Sequence, residues 1–144
     1  MGSRWGVTPH DSIQAECRRR GRDAVVDGCV QLLGSGTTDA ALLLALAGPA
    51  GEKFLDGKEH ADTYWLRVWA LRGLLWTWDE RATNAMCAAL RDEHWRVREM
   101  ALNVMARHRV DDAFEAALQL RDDDVARVRS AAERAVVAVS TAPS

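Results

Sequence analysis

Histidine and cysteine are the residues from which this chain could build a reactive centre, and their spacing argues against one. His10, His60, His94 and His108 form no HxxxH or HExxH pair, the spacing that sets two imidazoles on one helical face around a metal. Cys17, Cys29 and Cys87 are odd in number and lack CxxC spacing, so neither a zinc site nor a disulfide framework is expected. No GxSxG, P-loop or GxGxxG motif occurs. Nothing pairs a nucleophile with a base. The sequence therefore assigns no catalytic residue, no cofactor and no metal, and enzyme activity is not expected.

The chemistry that remains is recognition. Trp65, Trp69, Arg72 and Trp76 are spaced i, i+4, i+7 and i+11, which places them in one stripe along a helix. Left open, such a stripe would form an aromatic groove for a peptide, a base or a planar ligand, rimmed by Arg72 and Arg96. The structural reading has residues 1–61 lying over it, with Phe54, Leu55 and Trp5 packed on the indoles. Covered indoles are the preferred expectation, because exposed aromatic patches of this size are rare on monomers.

Three arginines recur in register. Arg67, Arg98 and Arg129 stand 31 residues apart, each followed three residues later by alanine, at Ala70, Ala101 and Ala132. They sit in LRVWALRGL, VREMALNVM and VRSAAERAV, where Leu66, Ala70, Leu71 and Leu74 mark the apolar stripe shared with the later copies. The column could act as an anion-binding ladder. Tying successive units together through charge-assisted hydrogen bonds to turn carboxylates and carbonyls is preferred, since buried charge is ordinarily paired.

Composition bounds the remaining classes. The 144 residues suit one domain, and 48% hydrophobic with 28% charged residues is near the globular average. A net charge of −2 argues against a protein that coats nucleic acid. No apolar signal region opens the chain, and the apolar run at 40–48 is too short to span a bilayer. A soluble, cytoplasmic protein is expected.

Along the chain, residues 1–9 read as a lead-in broken by Gly2, Gly6 and Pro9, before a helix capped by Asp11 or Ser12 and ending near Arg20. A second helix covers 22–33, and a third begins at Thr37 or Thr38 with an apolar surface nearly all round. Residues 48–61 are rich in turn formers yet carry Phe54 and Leu55, which predicts a loop that folds back and packs. Helices follow at about 62–78, 80–91, 94–108, 110–121 and 124–139. Asp79, Asp92, Asp111 and Asp123 stand where carboxylates cap helix N-termini. Short turns between amphipathic helices give stacked antiparallel hairpins.

The copies LRDEHWRVREMALNVMA and LRDDDVARVRSAAERAV resemble HEAT-type α-solenoid repeats, in particular the short variety found in phycobilin lyase subunits. Their shared marks are an acidic turn, Val-Arg, and alanine at fixed distance. Residues 92–121 and 123–139 match well, 62–91 slightly less so, and 1–61 only as further helices. The resemblance implies an all-α, α-α superhelix of about seven to eight helices forming a single solenoid domain over 1–144. That domain divides into divergent helices (1–61), regular repeats (62–139) and a tail (140–144). It also implies a non-enzymatic protein-binding scaffold or adaptor. The alternative is a nucleic-acid-binding or base-repair-like protein using the tryptophan and arginine surface; a bilin lyase or chaperone ranks below both. One DNA-repair glycosylase family has a HEAT-like solenoid, but its catalytic motif finds no match here.

In such solenoids the second helix of each pair lines the usual binding face. Outward positions there are Arg81, Asn84, Cys87, Ala88 and Arg91, then Asp112, Glu115 and Gln119. Of these, Arg81, Asn84, Arg91, Glu115 and Gln119 are the expected partner contacts, and their mixed charge favours a protein over nucleic acid. The last copy has only its first helix. Glu133 replaces the leucine of the earlier copies and gives that end a polar cap, which favours a monomer, with this end as the route to a dimer.

Overall fold

The computed structural model describes residues 7–141, and they form α-helices and 3₁₀ turns with no strand among them. Trp5, expected on the indoles, lies outside the described residues. The chain divides into two compact units, 1–79 and 80–144.

The first unit holds α1 (Pro9–Arg20), α2 (Arg22–Ser35), α3 (Ala40–Ala47), a 3₁₀ segment (Gly48–Asp56) and α4 (Tyr64–Trp76). Pro9, expected to break structure, instead opens α1, where its missing N–H costs nothing. The cap is Thr8, whose side chain accepts from the Asp11 N–H, rather than Asp11 or Ser12. Asp39, not a threonine, caps α3 by accepting from the Leu42 N–H.

This unit's core joins Ile13, Val25, Val26, Cys29 and Leu32 to Leu42, Leu46, Leu71 and Leu74. Two glycines permit the close approach of its helices. A Cβ on Gly73 of α4 would stand 2.5 Å from the Cys29 sulfur and 2.7 Å from a Leu46 methyl, and one on Gly28 would overlap Leu42. Polar ties reinforce the packing. The Ser12 hydroxyl donates to the Ala45 carbonyl at 2.8 Å, and Gln14 Nε2 to the Trp76 carbonyl at 3.0 Å. Glu16, nearly buried, accepts from Arg20 Nε at 2.6 Å, and Arg20 also grips both oxygens of Asp39 at 2.7 and 2.8 Å.

The second unit holds α5 (Thr83–Ala89), α6 (Trp95–His108), α7 (Phe114–Leu120) and α8 (Ala126–Ser140). Short 3₁₀ turns, Glu80–Ala82 and Asp111–Ala113, lead into α5 and α7, so these helices are shorter than periodicity suggested. Val97, Ala101, Leu102 and Met105 of α6 face Val128, Ala132 and Ala135 of α8 in the core, with Met86 and Ala117 from the shorter helices. Small alanines let the longer helices pack closely, and the aliphatic residues fill between them.

Arg98 performs the expected task, joining its own turn to Asp123 of the next copy, whereas the hydrogen bonds of Arg129 stay within its own turn. Arg98 Nη1 donates to the carbonyls of Asp92 and Glu93, six and five residues back, and Arg129 Nη1 repeats this on Asp123 and Asp124. The aspartates act differently from simple caps. Asp92 and Asp123 accept from the N–H two residues on, at His94 and Val125, closing the turn ahead of the helix. His94 caps α6, its Nδ1 accepting from the Arg96 N–H at 3.1 Å.

Candidate functional site

Two grooves, one in each unit, are lined by residues from the expected recognition surfaces. In the second unit, α5 and α7 frame a shallow groove of about 440 Å³ whose lining includes Cys87, Ala88, Arg91, Asp112, Glu115 and Ala116. Alanine and cysteine leave the channel open because their side chains are short. Arginine at one edge and two carboxylates at the other give it both signs of charge. Arg81, Asn84, Arg91, Glu115 and Gln119 are all exposed, while Ala82, Met86, Ala89, Ala113 and Ala117 turn inward to the core. Burial, and secondarily Asp112, pushes the Cys87 thiol upward from its ordinary pKa, which disfavours a nucleophilic thiolate.

In the first unit, a groove of about 480 Å³ runs along α4, lined by Trp65, Trp69 and Arg72 together with Ala47, Lys53, Phe54 and Asp62. Trp69 is 7% exposed and receives Phe54 edge-on at 5.5 Å, so the preceding segment covers it. Leu55, expected beside Phe54, is instead 45% exposed, because the 3₁₀ segment can turn only one of two neighbouring side chains inward. Trp65 remains half-buried, stacked at 22° and 6.0 Å on Trp69, with Tyr64 at 5.3 Å. Lys53 Nζ meets Asp62 at 2.7 Å. Arg72 Nη2 donates to the Leu46 carbonyl at 2.6 Å, and burial lowers the guanidinium's pKa.

The remaining two members of the expected aromatic surface lie elsewhere. Trp76 packs against His10, ring centroids 4.5 Å apart, and does not line the groove. Arg96 belongs to the second unit, where its guanidinium covers Trp95 at 4.5 Å and Arg127 lies 5.5 Å from the same ring. Arg127 is in turn held by Glu99 at 2.9 Å. Arg67 lines a third cavity, of about 640 Å³, with Thr38, Lys58 and Thr63.

Lys53 and Asp62 are groove residues that sequence reasoning did not single out. Their only signal was placement in and just after the turn-rich segment expected to fold back. Among the described residues no group of three or more His, Cys, Asp or Glu side chains could hold a metal ion, and the three cysteines are free thiols. No single helix among them is long and apolar enough to cross a membrane.

A family model described as HEAT repeats matches residues 52–136, more than half of the chain. No curated protein and no solved structure matches it. HEAT repeats usually mediate protein–protein interaction.

Proposed function

This chain belongs to the HEAT-repeat family, and from that premise we propose that it is a non-enzymatic, cytoplasmic adaptor that binds another protein along α5 and α7. The observation carrying this reading is the open, mixed-charge groove lined by Cys87, Ala88, Arg91, Asp112, Glu115 and Ala116, with Arg81, Asn84 and Gln119 exposed in the same unit. Small floor residues admit a partner's side chains. Opposite charges at the two edges fix its orientation more than its affinity. A partner presenting an acidic group toward Arg91 and a basic group toward Asp112 and Glu115 matches this pattern.

A nucleic-acid partner has weaker support. Arg96 and Arg127 flank Trp95, but Glu99 engages Arg127 and the chain is acidic overall. A bilin-binding role rests on the repeat resemblance alone.

The test is affinity capture from the source organism with the native chain, with an Arg91→Glu/Glu115→Arg variant, and with Arg134→Glu as a control on α8. A protein retained by the native chain and the control but lost by the double variant is expected. An identical capture profile for all three would remove α5 and α7 as the binding face.

A further inference from the structure

The cavity of about 640 Å³ in the first unit lies in the range of small-molecule sites. The end of α2, the start of α3, the 3₁₀ segment with the stretch after it, and the first turn of α4 enclose it. Its walls are of two kinds. Leu33, Leu43, Leu55 and Leu66 make one aliphatic. Leu55 is exposed there, so a ligand on this side takes apolar surface out of water.

The other kind is main chain and hydroxyl. Gly34, Gly36 and Gly57 line the cavity without side chains, and a Cβ on any of them would meet no atom within 4 Å. The hydroxyls of Ser35, Thr37 and Thr63 are engaged with one another or with carbonyls. That of Thr38, half-buried, has no hydrogen-bond partner among the described residues. Bare main chain and a free hydroxyl can both donate and accept, which is what an amide requires.

Charge narrows the choice further. Lys58 and Glu59 both line the cavity and are exposed, and neither side chain has a hydrogen bond or ion pair among the described residues. A lone anion would meet Glu59 uncompensated, and a lone cation would meet Lys58. The two residues are consecutive, so the charges that answer them belong on one small molecule. Arg67 lines the cavity too, but it is engaged within the protein and does not decide the ligand's charge.

We propose that this cavity binds a short aliphatic peptide with both termini free. Its carboxylate lies toward Lys58, its ammonium toward Glu59, its amide on the glycine and Thr38 side, and its side chains on the leucines. The site belongs to the first unit and stands independently of the α5–α7 reading.

The probe is leucyl-leucine, titrated against the full chain by ligand-observed NMR and calorimetry at about pH 7, where both termini are charged. Its comparators are N-acetyl-leucyl-leucine, which lacks the ammonium, leucyl-leucinamide, which lacks the carboxylate, and glycylglycine, which lacks the aliphatic groups. Leucyl-leucine is expected to bind with a dissociation constant of about 1 mM or tighter. It should bind about threefold tighter than either blocked form and at least about tenfold tighter than glycylglycine. Lys58→Gln should remove its advantage over the amide and keep its advantage over the acetylated form, and Glu59→Gln should do the reverse. Leu55→Ser should weaken the leucine peptides and leave glycylglycine unchanged. All three positions are exposed, and circular dichroism establishes that each variant is folded. No binding of leucyl-leucine up to about 10 mM overturns the proposal. So does a blocked form that binds as tightly as the free peptide, or charge variants that act alike on every probe.

Discussion

Arg98 grips Asp123 through two hydrogen bonds, Nε to Oδ2 at 2.9 Å and Nη2 to Oδ1 at 3.2 Å, while its Nη1 holds the carbonyls of Asp92 and Glu93. One planar guanidinium thus locks the turn before its own helix and the turn before α8. Both side chains are largely buried, so removing either leaves the other poorly satisfied.

Arg98→Ala should therefore destabilise the second unit by about 3 kcal/mol. Arg98→Lys should recover little, because a point charge cannot serve four acceptors in a fork. Arg129→Ala, at an exposed position, should cost about 1 kcal/mol. Chemical denaturation followed by circular dichroism ranks the three; an equal loss for Arg98→Ala and Arg129→Ala would contradict the buried clamp.

Acid should weaken the fold through the same carboxylates. Burial works against the charge of Asp123, yet the hydrogen bonds from Arg98 and the Val125 N–H hold its carboxyl below the ordinary range. Asp39 is held low chiefly by Arg20, against the opposing effect of burial. A carboxyl whose folded pKa lies below its unfolded value of about 3.9 contributes stability above that value and loses it as pH falls toward the folded pKa. The urea midpoint should drop between about pH 5 and pH 3, and Asp123→Asn should show a shallower drop. A midpoint independent of pH over that window would contradict these assignments.

Gly73→Ala tests the first unit's close packing. The added methyl meets the Cys29 sulfur and a Leu46 methyl on two different helices, so those side chains or α4 must shift, at a cost of about 1–3 kcal/mol. Gly34→Ala, on the same unit with open space around its Cα, is the control. Cys29 reports the same region. Burial, and to a smaller extent Cys17, pushes its thiol up to about 12, so it should resist a thiol reagent in the native chain and react after unfolding. Rapid native reaction at Cys29, or matched stability of the two alanine variants, would show that the helices pack less closely than described.

The repeat core was legible because its signal is periodic. Leu66, Ala70, Leu71 and Leu74, then Val97, Ala101, Leu102 and Met105, return at helical spacing, and each of these eight is buried. The turn chemistry was not legible in the same way. Asp92 and Asp123 sit where caps were expected, yet they serve the turn, and His94 takes the cap through a ring nitrogen with no propensity signal. Trp65 and Trp76 share a stripe in sequence but meet different neighbours, because α1 reaches only the end of α4, where His10 meets Trp76. The groove at Trp65 depends on Lys53 and Asp62, brought together by a 3₁₀ turn with no periodicity to announce it.

The exposed side of α8 bears on the expected monomer. Val137 is 55% exposed, but Arg134 and Glu133 flank it, and the Glu133 carboxylate lies 3.8 Å from Arg121. An isolated valine among charges does not make a stable interface. Light scattering coupled to size exclusion should give the monomer mass; a clean dimer whose mass reverts to monomer with Val137→Lys would place a second copy on α8.

The adaptor reading is tested most directly by hydrogen exchange on the chain alone and in complex with the protein it captures. Slower exchange is expected at Thr83–Ala89 and Phe114–Leu120 in the complex, with α6 and α8 unchanged. Protection confined to α4, or to the outer residues of α6 and α8, would contradict the claim that α5 and α7 form the binding face.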